Sequence, residues 1–401
     1  MPHRAPLIAL GNPGRNFATA ICNPALIPVK FTHPCAEDRE PGRGFVDARA
    51  ALRYIWGIKL LSQPRLPRRV SQFPASIVEP WRLSVAPMLD WTDSICRQVH
   101  RRLSRHALLY TEMVTSAALV RGGARHLLRF DPVEHPVALQ LGGSDPVELA
   151  QAVRMGADEG YSEINLNVGC PSDRVQSGSF GAVLMKSPEL VGDCLGAMRA
   201  ATRAEITVKC RIGVDDQDPE QALPALLDAA RGAGVKRVIV HARKAWLQGL
   251  SPKENREVPP LDYALVERML SAYPDLKLCL NGGIATLDQA EDLLSRGFAG
   301  VMIGRAAYHQ PVDILASADR RIFGQPTTDA DPVAVAHDMR PVIAGHLARG
   351  GRLIGATRHI LGLFAGQPGA RAWRRALSEM PNGTMADFDA LLDGLTQRRA
   401  A

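Results

Sequence analysis

From about residue 81 onward the chain alternates short apolar, β-branched-rich runs with amphipathic stretches of helical period. Eight such runs predict eight strands: Leu83–Ala86, Leu108–Thr111, Val137–Leu141, Glu163–Asn167, Ile206–Cys210, Arg237–His241, Leu276–Asn281 and Gly300–Ile303. Between them the pattern predicts helices over Pro146–Gly156, Ser187–Ala201, Asp218–Gly232, Ala264–Ala272 and Leu287–Arg296. Ser187-Pro188-Glu189 reads as a helix start with proline at the first helical position. Gly234 and Gly297 stand where helices should end. Strand and helix alternating in this way predict an α/β fold, a (β/α)8 TIM barrel over residues 81–325. A doubly wound sheet is the alternative, but no G-x-G-x-x-G follows the first strand. Residues 331–401 carry no strand pattern. They predict helices over Pro332–Arg349, Gly351–Leu363, Ala370–Glu379 and Met385–Gln397, a C-terminal all-helical domain.

Residues 1–80 are rich in Pro and Arg and lack sustained periodicity, so they are expected to be a disordered or wrongly assigned N-terminal extension. An Arg-rich organellar targeting peptide is the other reading, opposed by Glu37, Asp38, Glu40 and Asp47. This extension also governs the charge argument. The chain is formally +7, but residues 1–80 hold 11 Lys and Arg against 5 Asp and Glu. The remainder is nearly neutral, so overall charge is weak support for a nucleic-acid partner. From residue 331 on, 9 Arg face 6 acids, and that end is locally basic. No run of 18 apolar residues predicts a membrane span. The 7 cysteines form no C-x-x-C and no regular spacing, which argues against disulfides and zinc and for a reduced, cytoplasmic protein.

In a barrel of this kind functional residues come from the C-terminal ends of the strands, and polar residues collect there in this sequence. Asp90 follows strand one, Glu112 strand two, and Gln140 lies in strand three. Asn165 and Asn167 lead to Cys170 after strand four. Lys209 and Arg211 end strand five, His241 and Arg243 strand six. Asn281-Gly282-Gly283 follow strand seven and Gly304-Arg305 strand eight. Glycine turns after strands seven and eight let backbone N–H groups approach a phosphate closely, and Arg305 adds a charge-assisted bond. The other reading of those glycines is that they only make tight turns. Lys209, directed into the barrel mouth, needs a partner. A flavin is one, because a cation near its N1–C2=O edge stabilises the anionic reduced form. Gln140 is placed for the ring's polar edge and His241 for the ribityl or phosphate. On its own His241 would read as a structural histidine. Cys170, between Gly169 and Pro171 on a loop, suits acid–base or nucleophilic work, whereas Cys194, Cys210 and Cys279 fall within helix or strand patterns. A thiol ordinarily titrates near pH 8.5 and carries its proton at neutral pH. Donation is therefore the better reading, since no neighbouring base is evident. Ser172–Ala182 reads as a loop able to close on substrate.

These segments resemble a known family. Ala86-Pro87-Met88, Asn165–Pro171, Val208-Lys209-Cys210-Arg211, Val240-His241-Ala242-Arg243 and Asn281-Gly282-Gly283-Ile284 are similar to the signature segments of tRNA-dihydrouridine synthases. Ala245–Tyr263 and His359–Glu379 resemble the A subfamily in particular. The resemblance covers about residues 81–380. It implies an FMN-containing barrel, NADPH as reductant, and a helical domain that grips tRNA. It implies that Pro87, Met88, Leu89, Gln140, Lys209, His241, Asn281, Gly282, Gly283, Gly304 and Arg305 hold FMN. It implies tRNA contacts from Asn167, Lys253, Arg256, Arg371 and Arg374. The implied reaction adds hydride to C6 and a proton from Cys170 to C5 of a D-loop uridine, at tRNA positions 20 and 20a, in a protein expected to act as a monomer.

Arg371, Arg374 and Arg375 fit this independently, since their spacing puts them on one helix face, although a solvated helix face shows the same spacing. The alternative is an FMN barrel acting on a free pyrimidine such as dihydroorotate, against which the Arg-bearing helical domain argues. A non-catalytic RNA-binding barrel is the third reading, opposed by the intact set of polar strand ends. Residues 1–80 would in a further reading be a basic RNA arm.

Overall fold

The protein is described by a computed structural model over residues 78–172 and 178–400, with side chains as far as residue 397. Almost all of the segment 1–80, with every reading placed on it, lies outside the described residues. The middle of the Ser172–Ala182 loop also lies outside them.

Eight strands form a closed parallel barrel in sequential order. They are β1 (Leu83–Val85), β2 (Leu108–Thr115), β3 (Val137–Gly142), β4 (Glu163–Val168), β5 (Glu205–Arg211), β6 (Arg237–His241), β7 (Lys277–Asn281) and β8 (Gly300–Ile303), with β1 paired to β8. Strand alternation sorts the side chains onto two faces. Ile164, Leu166 and Val168 of β4 and Ile206, Val208 and Cys210 of β5 join the outer core shared with the helices. The alternate residues form the barrel interior. Part of it is apolar, with Ala86, Tyr110, Ala138, Ile239, Cys279 and Met302 in one small cluster. The rest is a polar column, described below. At the bottom of the barrel Arg237, 1% exposed, donates to Glu163 Oε2 at 2.8 Å and Glu205 Oε2 at 2.8 Å. The Trp81 ring lies 4.6 Å from its guanidinium carbon.

The outer layer comprises α1 (Ser94–Leu103), α2 (Ser116–Val120), α3 (Pro146–Glu159), α4 (Pro188–Ala201), α5 (Pro219–Gly232), α6 (Tyr263–Ala272) and α7 (Leu287–Ser295). Three short helices follow β8: α8 (Arg305–His309), α9 (Pro311–Leu315) and α10 (Ala318–Arg321). Aspartates cap α1, α3, α5 and α6, satisfying backbone N–H groups that have no partner within the helix. Ser187 precedes α4 as expected but its side chain makes no capping bond.

Sequence patterning missed α1 altogether, and the reason is physical. Its apolar stripe, Cys96, Val99 and Leu103, is narrow, and Arg97, Gln98, His100 and Arg101 are buried beside it. Arg101 donates to the carbonyls of Ser104, Ala107 and Pro136 at 2.8, 2.7 and 2.8 Å, and Arg97 to Glu134 at 2.6 Å. These bonds hold the polar side of the helix, while Val99 and Leu103 join the core.

The C-terminal part is helical: α11 (Pro332–Asp338), α12 (Arg340–Ala348), α13 (Leu353–Thr357), α14 (Ala370–Glu379) and α15 (Met385–Ala400). The predicted single helix over Pro332–Arg349 is two, broken at Met339, just before Pro341, which lacks the N–H that a continuous helix needs. The predicted Gly351–Leu363 helix shortens to α13 and one 3-10 turn, Arg358–Ile360. Gly362 beyond it packs so close to the His309 backbone that an added Cβ would meet His309 O at 2.5 Å. This part rests on α1. Arg102 donates to Asp338 O at 3.1 Å, while Arg358 Nη2 and His359 Nε2 reach Asp93 Oδ2 at 2.8 and 2.9 Å. Among the described residues no helix is long and apolar enough to cross a membrane.

Candidate active site

The C-terminal ends of the strands enclose a cavity of about 1280 Å³. Pro87, Met88 and Leu89 reach it from the turn after β1, with Leu89 58% exposed. Gln140, Asn167, Cys170, Lys209, His241, Asn281, Gly282, Gly283, Gly304 and Arg305 all line it, as does Arg256 from the long β6–α6 connection. Lys253 is exposed on that same connection, and Arg371 and Arg374 are exposed on α14; none of these three lines the cavity.

A polar column rises through the barrel to this cavity. Thr207 Oγ1 donates to Glu163 Oε1 at 2.9 Å and accepts from Asn165 Nδ2 at 2.8 Å. Asn165 Oδ1 accepts from Gln140 Nε2 at 2.9 Å, and Gln140 Oε1 accepts from Asn167 Nδ2 at 2.8 Å. At the top, Asn167 Oδ1 accepts the backbone N–H groups of Gly169 and Cys170, each at 3.0 Å. Nearly every polar atom is paired, which is what lets such groups sit inside a barrel. The column fixes the amide orientations of Gln140 and Asn167 and the turn that bears the thiol.

Cys170 is half-buried, with Sγ 3.5 Å from Ser172 Oγ. Its carbonyl accepts from Ala182 N–H at 2.9 Å. Arg211, 3% exposed, braces the same turn from the side. Its Nε donates to Gly169 O at 3.1 Å and its Nη1 to Lys244 O and Asn255 O at 3.2 and 3.0 Å. One guanidinium thus ties the Cys170 turn to the β6–α6 connection.

The walls are strongly positive on one side. Burial pushes the Lys209 ammonium down to about 7, with the Arg211 and Arg256 charges adding to the effect. Burial and then Arg211, Lys209, Arg243 and Arg256 hold His241 well below the usual imidazole range, so it is neutral near pH 7. Arg243 Nε and Arg256 Nε are buried with no hydrogen-bond partner among the described residues. The buried Arg256 donor and the mutually repelling cations Lys209, Arg211 and Arg256 that line the cavity fit an anionic group. The turn after β7 fits it too. Gly282 and Gly283 have φ of 110° and 72°, and Cβ atoms there would meet His241 Cδ2 at 2.5 Å and Leu261 Cδ1 at 2.4 Å. Only glycine permits that turn. Arg305 pairs with Glu257, which holds it at the rim.

Sequence reasoning assigned no part in the site to Arg97, Asp93 or Glu134. Arg97 and Asp93 line the far side of the cavity, and Glu134 anchors Arg97. Asp93 and Arg97 belong to the cap and body of α1, which the patterning did not read, and Glu134 lies in a short turn before β3. Arg211 was noted at its strand end, but its bracing role needed the fold.

The dihydrouridine synthase family model matches residues 84–397. The tRNA-dihydrouridine(20/20a) synthase of Salmonella typhimurium is 53% identical over 80% of this chain and 96% of its own length. That of Escherichia coli K12 is 54% identical over 77% of this chain and 89% of its own. A solved structure, the old yellow enzyme homologue from Zymomonas mobilis, superposes with a TM-score of 0.45 at 12% identity, covering 63% of this chain and 91% of that one. With the match running from β1 into the last helix, across every strand end that lines the cavity, the chain belongs to the dihydrouridine synthase family.

Proposed function

We propose that this protein reduces the C5–C6 double bond of uridine in the D-loop of tRNA, at positions 20 and 20a, using bound FMN and NADPH. The observation that carries the reading is the Cys170 turn. A thiol is braced from two sides at the mouth of a large cavity whose opposite requirement, an anion-accepting wall, is also present. Relatives over half identical are named for this reaction.

FMN fits the residues present. Pro87, Met88 and Leu89 would flank it, Gln140 and Lys209 would meet its polar ring edge, and His241 and Asn281 would follow its chain. Gly282, Gly283, Gly304 and Arg305 would receive the phosphate. When bound, this group supplies the hydride that C6 of uridine accepts, drawn in turn from NADPH. The protein's own work is on the other half of the addition. Cys170 delivers the S–H proton to C5, completing the saturated bond, and the thiolate regains a proton from water. Asn167 and Arg211 hold that thiol in place. Lys209, when protonated, favours negative charge at the ring edge.

The target uridine must leave its stack to enter the cavity. Lys253, Arg256, Arg371 and Arg374 would take phosphates of the RNA, with Asn167 near the base. Residues 81–325 are then the catalytic part and 331–401 the tRNA-binding part of a cytoplasmic monomer. The test is mass spectrometry of unmodified tRNA incubated with protein, FMN and NADPH, beside the same incubation with uracil and orotate. Dihydrouridine in the D-loop is the expected outcome. Turnover of the free bases without turnover of tRNA overturns the proposal.

A further inference from the structure

Trp246 lies in the β6–α6 connection, five residues past the end of β6, and is 42% exposed. It stands on the same connection that sends Pro252 and Arg256 to the cavity lining. The loop that presents it is built to hold it still. Trp246 N–H donates to Asn255 Oδ1 at 2.7 Å, and Asn255 Nδ2 returns bonds to the carbonyls of Trp246 and Leu250 at 2.9 and 3.0 Å. Asn255 is fully buried. Ala245 N–H donates to Gly213 O at 3.0 Å and Leu247 N–H to Asp215 Oδ1 at 2.8 Å, pinning both neighbours of the tryptophan to the loop after β5. Lys244 Nζ stands 5.5 Å from the indole centroid.

We infer that Trp246 is a stacking platform for an unpaired nucleobase of the tRNA, a base other than the uridine that enters the cavity. The inference rests on the proposed tRNA reaction. Three observations select a nucleobase as the occupant. The Trp246 backbone shares its clamp with Lys253 and Arg256, the cations proposed to meet RNA, since Asn255 lies between them in the chain and bonds the Trp246 N–H and carbonyl. Arg211 joins Lys244 O, Asn255 O and Gly169 O, so Trp246 is rigidly referenced to the Cys170 turn. Lys244 beside the ring supplies the cation that a nucleotide's phosphate would meet, as in single-strand binding sites that pair aromatic faces with positive charge. Extruding one base from a folded loop leaves its neighbours partly unstacked, and a preset indole face lowers the cost of that state without adding charge. Trp246 is thus a substrate-positioning residue, remote from the reacting atoms.

The test uses flavin-loaded wild-type, Trp246→Ala and Trp246→Phe proteins. Alanine is expected to raise KM for tRNA by roughly tenfold, the size of one lost base stack. At saturating tRNA kcat should stay within about twofold, because a truncation that removes uniform binding acts on KM. The loss should keep its size as salt rises, unlike loss of a phosphate contact. Phenylalanine should recover most of the affinity. Adding tRNA should change the indole emission of the wild type by a component missing from Trp246→Phe. An unchanged KM in Trp246→Ala overturns the inference, as does a loss of kcat and folding that phenylalanine leaves unrepaired. If the wild type forms no dihydrouridine in tRNA at all, the proposed function fails and takes this inference with it. If the wild type does form it and Trp246→Ala matches its KM, the inference alone fails.

Discussion

The carboxamide oxygen of Asn167 accepts the backbone N–H of Cys170 at 3.0 Å, while the amide nitrogen of the same side chain donates to Gln140 Oε1 at 2.8 Å. One side chain therefore sets the position of the thiol's turn and the orientation of the Gln140 amide at the cavity. Asn167→Ala leaves two backbone donors and one amide oxygen unpaired in a site where each costs about 1–3 kcal/mol. Dihydrouridine formation in a single turnover should fall by roughly a hundredfold, the usual effect of a misplaced reacting group. Asn167→Asp keeps the acceptor for Cys170 and should retain more activity than alanine. Equal rates for wild type and Asn167→Ala would remove Asn167 from the positioning of Cys170.

Cys170→Ala takes away the proposed proton donor and little else, since its backbone bonds do not involve Sγ. Uridine reduction should slow by about 10²–10⁴-fold, the range for a lost general acid. NADPH consumption in the absence of tRNA and the affinity for tRNA should both stay near wild type. Stopped-flow measurement of the two half-reactions separates them. An alanine variant with normal tRNA turnover would show that the proton comes from elsewhere.

The barrel was legible because β4, β5 and β6 are apolar on the face toward the helices and still carry polar residues at regular alternate positions. Asn165, Asn167, Lys209 and His241 could be placed at strand ends from that alternation alone. What the sequence withheld were features that depend on pairing across the fold. Arg97 and Arg101 look like surface residues until Glu134 and the carbonyls around them are seen, so α1 went unread. Met339 and Pro341 break a helix whose period runs on through them. Arg211 looked like one more polar strand end, and its three carbonyl partners come from stretches far apart in the chain. The Trp246–Asn255 clamp lies within the Ala245–Tyr263 segment that carries the resemblance, but the bonds between the two residues are invisible as spacing.

Lys209 gives the site a pH dependence with a definite sign. Its folded value is pushed down to about 7 from the usual 10.5, burial being the main cause. Between those values the unfolded chain binds a proton that the flavin-free protein does not, so stability of the flavin-free form rises with pH across that window. A bound anion favours the ammonium form and reverses this, making FMN binding take up a proton above about pH 7. The FMN dissociation constant, followed by flavin fluorescence, should increase from pH 7 to 9.5, approaching about tenfold per pH unit at most. Lys209→Met should weaken binding at pH 7 and flatten the profile. A flat wild-type profile would show that Lys209 does not meet the charge of the ligand.

Asp93 joins the barrel to the helical part, and its titration should register in acid stability. Burial alone would raise its carboxyl, but the hydrogen bond and charge of His359, the Cys96 N–H and Arg358 outweigh it and hold it at about 2, against an ordinary 3.8. A carboxyl lowered on folding adds stability that is whole above about pH 4 and is lost as pH falls through 2. Asp93→Asn should therefore lower stability by about 2 kcal/mol at neutral pH, with the gap to wild type closing toward pH 2. Urea titrations at several pH values measure it. A gap that stays constant down to pH 2 would mean that Asp93 contributes through shape and not through its charge.

Arg371 and Arg374 are exposed on α14 and have no carboxylate partner among the described residues, whereas Arg375 beside them pairs with Glu379 at 2.7 Å. On the buried side of the same helix Trp373 and Leu377 hold it in place, with Trp373 Nε1 bonded to Ile360 O at 2.8 Å. The two unpaired guanidinium groups are thus displayed on a fixed support, at no cost in breaking an existing ion pair. If each meets one RNA phosphate, replacing both with alanine should reduce the slope of log affinity against log salt by about 1.4–1.8, since each contact carries roughly 0.7–0.9. Affinity should fall most at low salt and converge with wild type as salt rises, while kcat at saturating tRNA and thermal stability stay the same. Arg375→Ala, which only opens a surface pair, should change the slope far less. Equal slopes for the wild type and the Arg371→Ala, Arg374→Ala double variant would mean that this helix face does not touch the RNA backbone.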